Sequence, residues 1–231
     1  MSVSSLTSGN GNPMDRANGT YNGPPSLGWG WISPTFDLVD AFQTDPVTGL
    51  PLLDTYQNFP IVNDNGLASS DPFTPHQGTL DPRLDWCVGR RGIPYRDWGL
   101  HPGKGWVRNQ NNGGPYQVIK NIAEQATVDT DRKGAYTNNP LNLIRFADVL
   151  LWAAECEIEI GSLGRAEELV NIVRSRAANP EGFVKKYLNL DDPLSGFSQE
   201  PAANYKVGLY DGHFEANGRK FARKAVRMER R

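Results

Sequence analysis

The sequence predicts a mostly α-helical protein with a large irregular, loop-rich region. Three observations predict it. Apolar residues recur three and four apart in two runs through residues 141–178, and basic residues fall at helical intervals after residue 213. Gly161 separates the two apolar runs, where a left-handed helix end is expected. Most of the 24 Gly and 17 Pro, and five of the six Trp, fall in residues 1–140, which read as turns and loops holding aromatic side chains.

Taken in order, residues 1–28 are Ser, Gly and Asn rich and read as a poorly ordered segment. Residues 29–140 form the loop-rich aromatic region. After Trp29 and Trp31, apolar Leu38, Val39 and Phe42 predict a short helix, with Pro34 near its start and Ser33 or Thr35 as its cap. Asp45-Pro46-Val47-Thr48-Gly49 is a turn, and residues 50–80 are irregular. Asp81 to Gly89 reads as a turn and a short strand, in which Leu84, Trp86 and Val88 alternate. Residues 89–116 follow as a loop too long and too aromatic for a mere connector.

Residues 141–231 read as the helical part. Leu141 to Ile160 carries Leu143, Phe146, Ala147, Leu150, Ala154 and Ile158 on one stripe, with Asn139 or Asn142 to cap it and Pro140 in its first turn. Trp152 is expected to pack between helices. Leu163 to Ala178 has Ala166, Val170, Val173 and Ala177 on its stripe, and the short turn at Gly161 makes the pair antiparallel. The spacing of Gly161, Ala166, Val170, Val173 and Pro180 resembles half of a tetratricopeptide repeat. One such hairpin cannot bury both faces, so apolar surface near Leu151, Trp152 and Leu169 is expected to remain bare. Phe214 to Arg231 is a last helix with seven Lys or Arg, read as one solvated basic face.

The composition excludes several classes. The net charge of −2 lacks the basic excess of a nucleic-acid protein. Mean hydropathy is −0.53, and no run of eighteen apolar residues exists to span a membrane. Cys87 and Cys156 stand alone, without a CxxC; they read as small hydrophobes, with a single disulfide as the alternative. No export signal or lipobox cysteine is visible in the first twenty residues.

A set of motifs resembles one family. Asp81-Pro82-Arg83-Leu84-Asp85-Trp86, Gly89-Arg90-Arg91-Gly92-Ile93-Pro94-Tyr95 and Gly113-Gly114-Pro115-Tyr116 are three of them. Ile144 to Glu155, Val170 to Ala177, Tyr205 to Tyr210 and Ala225 to Arg231 complete the set. Together they resemble the SusD/RagB outer-membrane lipoproteins of Bacteroidetes over about residues 25–231. The resemblance implies tetratricopeptide-like helix pairs, surface capture of oligosaccharides, and a SusC-type TonB-dependent transporter as partner. It implies no catalytic machinery and no cofactor. It also implies an outer-membrane location through a lipid anchor absent from this sequence. The matched stretch reads as the middle and carboxy-terminal part of such a protein.

A sugar presents apolar C–H faces and many hydroxyls, so its site wants aromatic planes with polar groups around them. Trp98 and Trp106 are the expected stacking planes, Tyr95 extends them, and Arg96, Arg108 and Asn109 would bond hydroxyls. The same aromatics could instead pin the loop, since large rings are mostly buried. Carboxylate pairs at Asp81/Asp85, Asp129/Asp131 and Glu155 with Glu157 or Glu159 read as turn-formers and surface ion pairs rather than a glycosidase dyad. Asn63-Asp64-Asn65-Gly66 and Asp129-Thr130-Asp131 lack the closing Glu of a calcium loop. His76, His101 and His213 are scattered, and no metal site is expected. The rival to glycan capture is a tetratricopeptide-like module that binds a peptide or protein.

Overall fold

The computed structural model describes residues 2–4, 22–24, 30, 32–120, 122–125 and 140–231. It is mostly helical, as predicted. The helices are α1 (Phe36–Asp40), α2 (Arg83–Cys87), α3 (Gln110–Gly113), α4 (Phe146–Ile160), α5 (Leu163–Ala178) and α6 (His213–Arg230). The strands are β1 (Ser2–Ser4), β2 (Val88–Gly89), β3 (Gln117–Val118), β4 (Pro140–Asn142), β5 (Lys185–Tyr187) and β6 (Phe197–Pro201). Among the described residues they form three separate antiparallel pairs, β1–β4, β2–β3 and β5–β6.

Helices α4, α5 and α6 pack together around one apolar cluster. It joins Leu151, Ala154 and Ile158 to Ala166, Leu169 and Val170, and both sets to Phe214, Ala222, Ala225 and Val226. Gly161 closes α4 at φ 96°, the left-handed turn its position predicts. The helix begins later than the periodicity suggests. Residues 140–142 are strand β4, and Arg145 is the N-cap, its backbone N–H donating to Asp148 Oδ2 at 3.0 Å. Asn142 therefore sits in a strand, while Asn139 lies outside the described residues.

The buried edge of α4 is also rotated from the predicted stripe. Phe146 and Leu143 face solvent, and Leu151 and Leu169 are inside. The cause is α6, which lies against both helices of the hairpin and covers the face expected to be bare. Trp152 is the converse case: it is 41% exposed rather than packed between helices. With Phe146, Val149, Cys156 and Ile160 it makes an apolar stripe on the outside of α4. The isolated chain is expected to bind a dye such as ANS at this stripe and to self-associate. Substitution of Phe146 and Trp152 by Gln should abolish the fluorescence gain, and persistence of the gain would move the exposed patch elsewhere. Ala154 and Ala166 are both fully buried, so Ala154→Leu should lower stability by about 1–3 kcal/mol in urea unfolding through overpacking.

The loop-rich region owes its shape to caps and buried ion pairs. Thr35 Oγ1 accepts from Leu38 N at 3.1 Å and starts α1. Asp45 Oδ1 accepts from Val47 N and Thr48 N, closing the predicted turn, and Gly49 takes φ 71°. Residues 83–87 form a helix rather than the predicted strand. Asp81 Oδ1 accepts from Arg83 N at 3.0 Å, and the one-turn helix sends Leu84 into a cluster with Val39, Ile61, Leu80, Val88 and Tyr116. A further clamp joins the two regions. The fully buried Arg174 of α5 donates to Gly208 O at 2.7 Å and to Gly49 O at 3.0 Å, and it pairs with Glu229 of α6. Glu229 also receives Arg83 at 2.9 Å, and Arg83 holds Asp81 at 2.5 Å.

The basic face of α6 is not simply solvated. Arg223 and Arg230 pair with Glu159 and Glu155 of α4, Lys224 with Asp54, and Arg231 with Asp37. Glu167 of α5 accepts from Gly212 N at 2.7 Å and Phe214 N at 2.8 Å, so it supplies the first turn of α6 with acceptors from outside the helix. Both cysteines are free thiols, Cys87 partly buried and Cys156 exposed.

Candidate functional site

The aromatic loop is not an open strap. After β2 it folds back on itself: Gly92 N donates to His101 O, His101 N to Ile93 O, and Tyr95 N to Gly99 O. Asp85 anchors its entry through Arg90 at 2.6 and 2.9 Å, and Tyr205 donates to the same carboxylate at 2.6 Å. The reversal at its tip uses Gly99 at φ 106° and Arg96 at φ 56°. Tyr187, from β5, holds that tip. Its hydroxyl donates to Arg96 O at 2.7 Å and accepts from Gly99 N at 3.1 Å.

The six predicted site residues divide between the inside and the surface of this element. Tyr95 is fully buried, and its hydroxyl donates to Val118 O at 2.8 Å. Its ring meets Trp106 at 5.6 Å and His101 at 5.6 Å, and His101 meets Trp106 at 5.4 Å. Trp106 is partly buried, and a Cβ on Gly23 would come within 2.5 Å of its ring, so backbone lies against the indole. Trp98 is partly buried, and its Nε1 donates to Ala123 O at 2.8 Å. The structure thus gathers Tyr95, Trp98 and Trp106 around Ile119 and Ile122 as a small core. Arg96 lies at the edge, with Nη2 donating to Lys120 O at 3.2 Å and its guanidinium 5.4 Å from the ring centre of Trp86. Arg108 and Asn109 are exposed at the start of α3, which Asn109 Oδ1 caps by accepting from Asn111 N at 3.0 Å. Trp29 and Trp31 lie outside the described residues.

Two residues at this site escape the sequence reading. Tyr187 is distant in the chain, and nothing local marks it. Trp86 was placed on a strand in alternation with Leu84 and Val88; the helix α2 turns it away from both and out to solvent.

His101 makes this core sensitive to acid. Gly103 N donates to its Nδ1 at 3.0 Å, so the proton sits on Nε2, which faces Gln117 Oε1 at 2.8 Å. Burial pushes the imidazole down to about 4. The unfolded chain therefore binds a proton that the fold does not, at every pH between about 4 and 6.5. Stability should fall as pH drops through that window, by up to about 3 kcal/mol from this group. Urea unfolding of wild type and His101→Asn at pH 7 and pH 4.5 checks it: the variant should lose less on acidification, and equal losses would remove His101 as the cause.

Four of the carboxylates singled out in the sequence are held by basic or hydroxyl partners. Asp81 holds Arg83, Asp85 holds Arg90 and Tyr205, and Glu155 and Glu159 hold arginines of α6. Asp129 and Asp131 lie outside the described residues. Asn63 to Gly66 is a turn, in which Asn63 Oδ1 accepts from Asn65 N at 3.1 Å and Gly66 takes φ 84°. Among the described residues no three acidic, His or Cys side chains converge on a metal position, and no helix is long and apolar enough to cross a membrane.

The family model of SusD proteins matches residues 2–231. The chain belongs to the SusD family. A crystal structure of a SusD-like protein from Bacteroides fragilis is similar to this SusD-family chain, at 18% identity and a TM-score of 0.47. The likeness covers 99% of this chain and 40% of that one. The chain thus spans about two fifths of the length of that SusD-like protein. No curated protein matches it.

Proposed function

We propose that this SusD-family chain captures oligosaccharides at the outer-membrane surface, without chemical conversion, and passes them to a SusC-type TonB-dependent transporter. The family match along residues 2–231 carries the reading. The ion pairs of Asp81, Asp85, Glu155 and Glu159 agree with capture rather than hydrolysis at those residues. A lipid anchor would hold it at the membrane. The sugar would meet the solvent side of the loop at residues 95–109, where Arg96, Arg108 and Asn109 supply polar groups. Tyr95, Trp98 and Trp106 would set the shape of that surface from beneath.

Affinity electrophoresis through gels containing starch, xylan, pectin, β-glucan or mannan tests the reading. Retardation in at least one gel is expected, with no release of reducing sugar. Unchanged mobility in all of them would overturn it. The apolar outer stripe of α4 favours a second reading, a helical module that binds a peptide or protein. Capture of an amphipathic peptide without any polysaccharide retardation would select it.

A further inference from the structure

We infer that Trp86, with Arg96 beside it, is a stacking platform for a pyranose ring, a subsite separate from the partly buried Trp98 and Trp106. The inference rests on the glycan-capture reading above and names where the sugar sits. Among the described tryptophans, only Trp86 and Trp152 are substantially exposed. Their surroundings differ. Trp152 lies on the outer face of α4 in a row with Phe146, Val149, Cys156 and Ile160, with no side chain shown over its ring among the described residues. Trp86 is 42% exposed and has two polar contacts. Its Nε1 donates to Gly182 O at 2.8 Å, and the Arg96 guanidinium lies 5.4 Å from its ring centre. The indole is therefore held at two points while much of it remains in solvent. A flat ring fixed before the ligand arrives loses little freedom on binding, which favours affinity.

Arg96 is placed there at a cost. It is the one non-Gly residue with positive φ among those described. Its Nε is buried with no hydrogen-bond partner among the described residues. Tyr187 fixes its carbonyl, and the carbonyls of Ile119 and Lys120 hold its Nη2. Strain of this kind persists where surrounding structure enforces it, and it concentrates at ligand clamps. Its result is a guanidinium held against an exposed indole. The chemistry fits a sugar: its C–H groups would lie on the exposed part of the indole, and ring hydroxyls would meet the guanidinium.

The test uses gels of the same five polysaccharides, with isothermal titration against the strongest binder. Trp86→Ala should weaken binding about tenfold to a hundredfold, by analogy with ring stacking on aromatics, while the melting temperature stays close to wild type. Trp152→Ala should bind as wild type does. If Trp86→Ala fails to fold, Trp86→Phe decides: it should bind several-fold more weakly and lose the sugar-induced change in Trp emission. Wild-type binding with Trp86→Ala or Trp86→Phe unaffected would overturn the subsite and leave glycan capture standing. No binding by wild type to any of the five would overturn glycan capture, and the subsite with it.

Discussion

Arg174→Met is expected to lower stability by about 3–5 kcal/mol, enough to consume much of the stability of an ordinary domain. The guanidinium is fully buried and joins three segments: the turn at Gly49, the segment at Gly208 and Glu229 of α6. Methionine has a similar length and fills the space but donates nothing. Two backbone carbonyls and one carboxylate, whose side chain is only 1% exposed, would then lose donors in a dry site. Arg83 still reaches Glu229 at 2.9 Å, so part of the carboxylate's charge remains matched. The double variant Arg174→Met with Glu229→Gln should therefore be more stable than Arg174→Met alone. Urea unfolding of both decides it. A loss under about 1 kcal/mol in the single variant would mean that water takes over the guanidinium's bonds.

Trp106→Ala is expected to be nearly as damaging, at about 3–5 kcal/mol, with any loss of sugar affinity following from the loosened loop rather than from a lost sugar contact. Its ring packs edge-on against Tyr95 and His101 and has Gly23 against it, and its carbonyl accepts from Gln117 Nε2 at 2.5 Å. Removing it leaves a void under the aromatic loop rather than a bare spot on its surface. Melting temperature and polysaccharide titration at 10 °C separate the two roles. A stable variant that no longer binds sugar would put Trp106 at the binding surface after all.

The helical part was largely legible in the sequence. Gly161 and the small residues Ala154 and Ala166 mark a close antiparallel pair, and the structure has it. What the periodicity could not show was which side α6 would cover. Nearly the whole circumference of α4 is apolar, so the stripe chosen from spacing alone was one of several equally consistent with it. The start of α4 was missed for a different reason. Residues 140–142 take β-bonds to residues 2–4, a partner far away in sequence. At the candidate site, residue type correctly indicated an aromatic cluster but not its sidedness. Exposure depends on what lies beneath, and Ile119 and Ile122 beneath Tyr95 follow it by more than twenty positions. Trp86 escaped because five residues with alternating apolar character fit either a short strand or one turn of helix.

The clamp around Arg174 also governs the order in which the molecule can come together. Gly49, Arg83, Arg174, Gly208 and Glu229 are spread along nearly the whole chain, and the Arg83–Glu229 bond alone closes a separation of 146 positions. Contacts of such long range form late, because the chain between their ends must first surrender its freedom. During synthesis, the two arginines emerge well before the glutamate that neutralises them. In a nascent chain ending short of Glu229, Arg83 still has Asp81, but Arg174 has no carboxylate partner, which disfavours its burial between the turn at Gly49 and the segment at Gly208. Docking of the loop-rich part onto α5 is therefore expected to follow the completion of α6.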